Sequence, residues 1–277
     1  MNGNLFTAIT DTDLQLPIYL TNCGGWINQE TMDRPYGFPD YHWIQTTHGE
    51  GLLESDGQTI SLTPGQGMLI FPDKSHRYSA VQEPWGVMWV TFNGKHVEGI
   101  LNSLEFFGTQ VLYISNPNRT LAKMNKIISL MSGSDPLRSV EASAIVYEIL
   151  LDLFICGSTS EVRSKQQHYE QLEPVFTYIE KHYGSDIELV QLAKQLGVSP
   201  QHTCLLFKQT LGMRPFEYIT LYRIRKAKEL LVEHMELDIQ EIAKAVGYPH
   251  ASYFIKLFKK AEGVTPNMFR RLHRVGI

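Results

Sequence analysis

In the first half of the chain, the residues able to do chemistry are a histidine, a tyrosine and a pair of tryptophans. His76 and Tyr78 stand two apart in Ile70-Phe-Pro-Asp-Lys-Ser-His-Arg-Tyr78, so in a strand both side chains point to one face. Trp85, Val87 and Trp89 repeat the two-residue spacing. An aromatic wall with a few polar groups suits a sugar: a ring face stacks on the sugar's C–H face, and hydroxyls take directed hydrogen bonds. The same rings also fit a plain β-core in which His76 is a satisfied structural histidine, and both readings stay open at this level. Metal chemistry fits poorly. Metal-holding β-barrels offer two histidines one residue apart, a carboxylate and a third histidine, whereas His42 is followed by Trp43 and Ile44. His76 alone does not make a three-ligand site. No glycine-rich phosphate loop and no nucleophile–base motif is present.

In the last third, the informative feature is self-similarity. Leu192–Tyr218 reads LAKQLGVSPQHTCLLFKQTLGMRPFEY, and Ile242–Phe269 reads IAKAVGYPHASYFIKLFKKAEGVTPNMF. Ala193 and Gly197 match Ala243 and Gly247 at an offset of 50, while Phe207, Gly212 and Pro215 match Phe258, Gly263 and Pro266 at 51. The second copy therefore has one extra residue in its turn. Each copy has the parts of a helix-turn-helix. A small residue lets two helices cross closely, and a glycine four residues later suits a left-handed turn. The helix that follows buries Leu206 and Phe207, or Phe254, Leu257 and Phe258, and keeps its other face free for a major groove. Two hairpins of an ordinary bundle are the competing reading. Between the copies, PFEYITLYRIRKAKELLVE (Pro215–Glu233) reads as one helix. At about 1.5 Å per residue its 19 residues reach roughly 28 Å. That is near the roughly 34 Å between successive major grooves on one face of DNA.

These patches need elements to hold them. The 277 residues suit two domains. Residues 14–93 read as short strands, Pro17–Leu20, Gly51–Glu54, Thr59–Leu62, Met68–Phe71 and Val87–Phe92, separated by Asp56-Gly57, Pro64-Gly65 and Pro72-Asp73 turns. Such spacing predicts a small barrel or jelly roll. Residues 95–157 read as helix, with one more strand near Gln110–Ile114 and a strongly apolar helix over Leu137–Ile155. That helix reads both as core under the barrel and as part of a dimer interface. The stretch 158–170 is polar and linker-like. From Leu172 only helices are expected, with Asp186 placed to cap the one after Gly184. Residues 1–164 carry 9 Lys+Arg against 17 Asp+Glu, and residues 165–277 carry 16 against 12. An acidic front and a basic back fit a rear half that meets phosphates. No apolar run of membrane length and no secretory leader is apparent, so a cytoplasmic protein with no membrane partner is expected. Cys23, Cys156 and Cys204 are too scattered for a metal site or disulfide framework.

The duplicated unit resembles the DNA-binding domain of the AraC family of transcription regulators over Leu172–Arg271, most specifically in Gly263-Val-Thr-Pro-Asn-Met-Phe-Arg-Arg271. The front half is similar to the cupin-like sensor of that family's sugar-responsive, arabinose-type members. The match runs through Asp33-Arg-Pro-Tyr-Gly37 with Tyr41, Pro64-Gly65, Ile70–Tyr78 and Trp85–Phe92. The resemblance implies an α+β chain with three parts: a cupin-like β jelly roll with a helical appendage over 1–157, a linker over 158–170, and an all-α double helix-turn-helix over 171–277. It implies double-stranded DNA as partner, read by Gln201, Cys204 and Leu205 from the first motif and by Ala251, Ser252, Tyr253 and Lys256 from the second. Lys208, Lys259 and Lys260 would contact phosphates, which position rather than specify. It implies Arg34, His76, Tyr78 and Trp89 as contacts to a small-molecule effector, a sugar. A homodimer, contact with RNA polymerase, no cofactor and no catalysis complete the expectation. Leu205 departs from the family, which often has Arg there. A bidentate guanine contact of about 1–3 kcal/mol is then missing: either Leu205 touches a thymine methyl instead, or the first motif contributes less to specificity. The alternative class is a cupin-type metal enzyme with a fused helical domain, which stoichiometric metal in purified protein would favour.

Overall fold

The computed structural model describes residues 3–159 and 164–273. The chain divides into two compact units, residues up to Gln167 and residues from His168. Of the expected linker 158–170, residues 160–163 lie outside the described residues, as do 1–2 and 274–277 at the outer ends of the two expected domains. A helix already begins at Lys165 inside that stretch, because its Lys, Gln and Glu residues are good helix formers despite their polarity.

The first unit is an antiparallel β roll. Its elements in order are β1 Gly3–Phe6, α1 Asp11–Gln15, β2 Tyr19–Trp26, β3 Met32–Arg34, β4 Tyr41–Ser55, β5 Gln58–Leu62, β6 Gln66–Ile70 and β7 His76–Asn93. These are followed by α2 Val97–Ser103, β8 Gln110–Ile114, α3 Pro117–Met131, α4 Arg138–Cys156 and β9 Gly157–Ser158. The strands order as β1-β2-β7-β4-β6-β8-β9, with β3 added to β7 and β5 to β4. The long strands β4 and β7 pair from Tyr41↔Phe92 to Ser55↔His76 and form the spine. Register shifts between Thr46 and Gly51 bend it, so its two halves take different neighbours.

Both faces of this sheet are buried. Ile44, Met68, Ile70, Tyr78, Trp85, Val87 and Trp89 pack inside the roll. Their strand neighbours Trp43, Leu69, Val90 and Phe92 point the other way, onto a core shared with α3 and α4. Two buried faces explain why the strands read as continuous apolar runs rather than alternating ones. Three tryptophans lie against glycines: a Cβ at Gly24, Gly51 or Gly67 would stand 2.2–2.5 Å from the ring of Trp89, Trp85 or Trp43. Beneath the sheet, buried Asp152 of α4 holds Arg119 and Lys123 of α3, each at 2.7 Å. The apolar helix predicted over Leu137–Ile155 is α4, and its Ile145, Val146, Ile149 and Leu150 are core.

The second unit is helical: α5 Lys165–His182, α6 Leu189–Leu196, α7 Pro200–Leu211, α8 Pro215–Glu233, α9 Ile239–Ala245, α10 Ala251–Glu262 and α11 Pro266–Leu272. Asp186 does not cap α6. The helix starts three residues later, where the Glu188 amide donates to the Gln191 side chain at 2.8 Å. Two cores follow the repeat. Leu172, Val175, Leu192, Leu206, Phe207 and Ile219 form one. Ile224, Ala227, Leu231, Ile242, Phe254, Phe258 and Phe269 form the other. The spacer α8 gives its first half to one core and its second half to the other. Arg223 pins it by donating to the carbonyls of Tyr183 and Ser185 at 2.8 and 2.7 Å.

Candidate effector pocket and nucleic-acid interface

Inside the roll is a cavity of about 180 Å³. β3 lies along β7 with Met32 opposite Tyr78 and Arg34 opposite His76, which brings Arg34 to the cavity wall. β4 supplies His42 and Ile44, β7 supplies Tyr78, Trp89 and Thr91, and β2 supplies Asn22 and Trp26. β1 adds Asn4 and Phe6 from the chain's start. The Trp89 ring stands 5.9 Å from that of Trp26. Its Nε1–H donates to Asn22 Oδ1 at 2.6 Å. Asn22 in turn donates to the carbonyl of Leu5 at 3.0 Å and to the Asn4 side chain. One amide therefore joins β1 to the pocket tryptophan.

The polar groups of the wall are unevenly satisfied. The Arg34 guanidinium lies over the Phe38 ring at 4.3 Å, and its Nη1 is buried without a hydrogen-bond partner. Both ring nitrogens of buried His42 are likewise unpartnered. Burial, then the charges of Arg34 and His76, hold His42 well below the usual histidine range. His76 donates its Nδ1–H to the Lys74 carbonyl at 2.7 Å, while its Nε2 is buried and unpartnered. Burial lowers its pKa too, against the Lys74 contact and with help from Arg34. Burial raises Tyr78. Near neutral pH both histidines are therefore uncharged; His42 offers one donor and one acceptor, and His76 keeps an acceptor at Nε2.

Of the four residues expected to meet an effector, Arg34, Tyr78 and Trp89 share this cavity. His76 does not line it. It is stacked on Tyr78, with centroids 6.0 Å apart and planes at 9°, and faces a shallower cleft with Asp33 and Glu54. The sequence reading missed His42, Asn22 and Phe38. Strand alternation could have found His42, because Trp43 is a core residue and its neighbour must face the opposite side. Among the described residues, no three His, Cys, Asp or Glu side chains gather as a metal-binding set.

The two helix-turn-helix motifs are built as their glycines require. Gly197 ends α6 at φ 65° and Gly247 follows α9 at φ 85°, both left-handed. Gly247 has a second constraint, since a Cβ there would stand 2.6 Å from the Tyr183 carbonyl. The extra residue of the second turn lies between Gly247 and Ala251, where α10 starts. Ser199 caps α7 by accepting the His202 amide at 3.2 Å. On α7, Gln201, Leu205 and Lys208 are exposed and Cys204 is half-buried beside them, one turn apart on a single face. Exposed His202 and Gln209 flank that face and were not foreseen. On α10, Ser252, Tyr253, Lys256, Lys259 and Lys260 are exposed and Ala251 half-buried, opposite buried Phe254 and Phe258. Lys208 also donates to the Gly212 carbonyl at 2.7 Å.

A β roll around a small-molecule cavity, joined in one chain to two outward-facing reading helices, defines a ligand-responsive DNA-binding regulator. Residues 28–150 match the AraC-like ligand binding domain, and residues 192–272 match a helix-turn-helix domain. The chain belongs to the AraC family of transcription regulators. It is 29% identical to the Msm operon regulatory protein of Streptococcus mutans, over 87% of this chain and 90% of that protein. It is 27% identical to the lactose operon transcription activator of Staphylococcus xylosus, over 81% of each chain. It is 25% identical to the arabinose operon regulatory protein of Escherichia coli, over 86% of this chain and 83% of the relative. No helix of the described residues is long and apolar enough to cross a membrane.

Proposed function

We propose that this regulator responds to a sugar held in the β roll by Arg34, His42, Tyr78 and Trp89, with His76 setting the position of Tyr78. The observation that carries this is the cavity itself: an indole and a phenol on its wall, with unpartnered nitrogen atoms of Arg34 and His42 buried against it. Sugars need that pairing of flat apolar faces and directed polar atoms. Relatives named for lactose and arabinose operons support it. Occupancy bears on β1 through the Trp89–Asn22–Leu5 chain of hydrogen bonds. It changes DNA binding only insofar as the sugar binds the two states with different affinity.

On DNA, Gln201, Cys204 and Leu205 of α7 and Ala251, Ser252, Tyr253 and Lys256 of α10 face bases, while Lys208, Lys259 and Lys260 hold phosphates. The protein acts in the cytoplasm as a homodimer that contacts RNA polymerase and catalyses no reaction, with 158–170 joining the two domains. Calorimetric titration of the full chain with arabinose, galactose, lactose and raffinose tests the effector. Micromolar binding of one, lost in Trp89→Ala, is expected. Absence of heat with all four removes a neutral sugar of this set as the effector. Selection of bound DNA from a random pool, with and without the bound sugar, tests the reading helices.

A further inference from the structure

We infer that the effector carries an acidic group, a carboxylate or a phosphate, seated on the edge of the Arg34 guanidinium; this rests on the sugar reading above and makes the ligand a sugar acid or sugar phosphate. Counting donors and acceptors around the cavity leads there. Three of its neutral polar side chains are already engaged with one another or with backbone. Asn22 accepts from Trp89 and donates to Leu5 and Asn4. Gln29 donates to the Glu30 carbonyl at 2.8 Å. The Thr91 hydroxyl donates to the Asn22 carbonyl at 3.2 Å and accepts from Thr21 at 2.8 Å. The cavity's buried atoms without a partner are Arg34 Nη1 and the two nitrogens of His42; the Tyr78 hydroxyl and the Trp26 indole N–H stand on the same wall.

Arginine only donates, and it stays charged at any pH the protein meets. Among the described residues that line the cavity there is one Arg or Lys and no Asp or Glu. Opposite charge is therefore missing from the described wall, and a guanidinium N–H group buried there without a partner is costly. The guanidinium carbon rests 4.3 Å over the Phe38 ring, which holds the group at this wall. The guanidinium edge, with the fork of N–H groups, is what a planar anion meets bidentately. His42 and His76, both held below the usual histidine range beside Arg34, add no second positive charge, which leaves Arg34 as the group an anion would meet. His42 is left to exchange one donor and one acceptor with hydroxyls.

Matched pairs provide the test: galactose, galacturonate and galactose 6-phosphate, then glucose, glucuronate and glucose 6-phosphate. Each is titrated calorimetrically into the full-length protein and into Arg34→Gln and Arg34→Lys. The expected result is that at least one acidic member binds about tenfold or more tightly than its neutral partner. Arg34→Gln should erase that difference and Arg34→Lys keep part of it. Retained thermal unfolding of the variants shows that they fold. A neutral sugar binding as tightly as its acids overturns the inference and leaves the sugar reading standing. An acid preference that survives Arg34→Gln overturns the seat on Arg34. No heat from any of the six, after none from the neutral panel, removes sugar and inference together.

Discussion

In the N-terminal unit, Arg34, His42, Tyr78 and Trp89 turn inward to a cavity, whereas in the C-terminal unit Gln201, Leu205, Lys208, Tyr253 and Lys256 turn outward to solvent. Both sets stand on regular elements, but they relate to their cores in different ways. Trp89 is at once a pocket wall, a core side chain and the anchor of Asn22. On α7, exposed and packed positions are different residues: Leu205 faces out, while Leu206 and Phe207 next to it are buried. The pocket therefore couples ligand recognition to stability, and the reading helices separate base recognition from stability.

The sharpest break between the two would come from Trp89→Ala. Loss of a buried indole costs about 3–5 kcal/mol, so the variant should melt well below the wild type and bind no effector. A normal melting curve with effector binding lost would show that the pocket is as separable as the reading face. Next in size is Leu205→Arg. It supplies a planar double donor to the exposed face of α7 and should add about 1–3 kcal/mol of preference for guanine at one operator position. Thermal stability should shift by less than about 0.5 kcal/mol, the range for exposed substitutions. Competition binding with single-base operator variants measures the preference, and a melting shift beyond that range would blur the contrast.

Lys256→Ala should act more gently. The expected outcome is weaker DNA binding, with effector affinity and melting temperature unchanged. If Lys256 lies on a phosphate instead of a base, weakening should be uniform across sequences and the salt slope should fall by about 1. Titrations at several salt concentrations separate the two. The mildest test is pH. The His42 pKa is depressed below its ordinary 6.5 in the folded chain. The unfolded chain then binds the extra proton first, so the stability this residue confers is present above 6.5 and declines as pH falls below it. Melting of the N-terminal unit should fall with acidification through that window, and His42→Gln should flatten the decline. An unchanged slope in the variant would detach His42 from the pocket's electrostatics.

How far each unit could be read from sequence follows from the same contrast. The repeat stated itself: Ala193 with Ala243 and Gly197 with Gly247 mark the turns, and the register of α7 and α10 fixes which residues face out. The spacer Pro215–Glu233 falls where its composition places it. The roll was harder. Its two longest strands were seen only as fragments, Gly51–Glu54 of β4 and Val87–Phe92 of β7, because the irregular pairing from Thr46 to Gly51 breaks the period of two. β1 and β3 left no signal, since their four and three residues gain their order from long-range pairing with β2 and β7. His42 was weighed only as a metal ligand, and its role depends on a neighbour, Arg34, that arrives from a different strand. A property that belongs to an assembled cavity has no local pattern to betray it.

The placement of the indoles has a practical consequence. All four tryptophans, at positions 26, 43, 85 and 89, lie in the first unit, and none occurs from residue 168 onward. Selectively excited emission from this protein thus comes from the effector-binding half alone, while the DNA-reading half stays dark. With Trp26 and Trp89 at the cavity wall, occupancy should change the intensity or colour of that light without any attached dye. The native chain is, in effect, its own optical gauge for one of its two jobs.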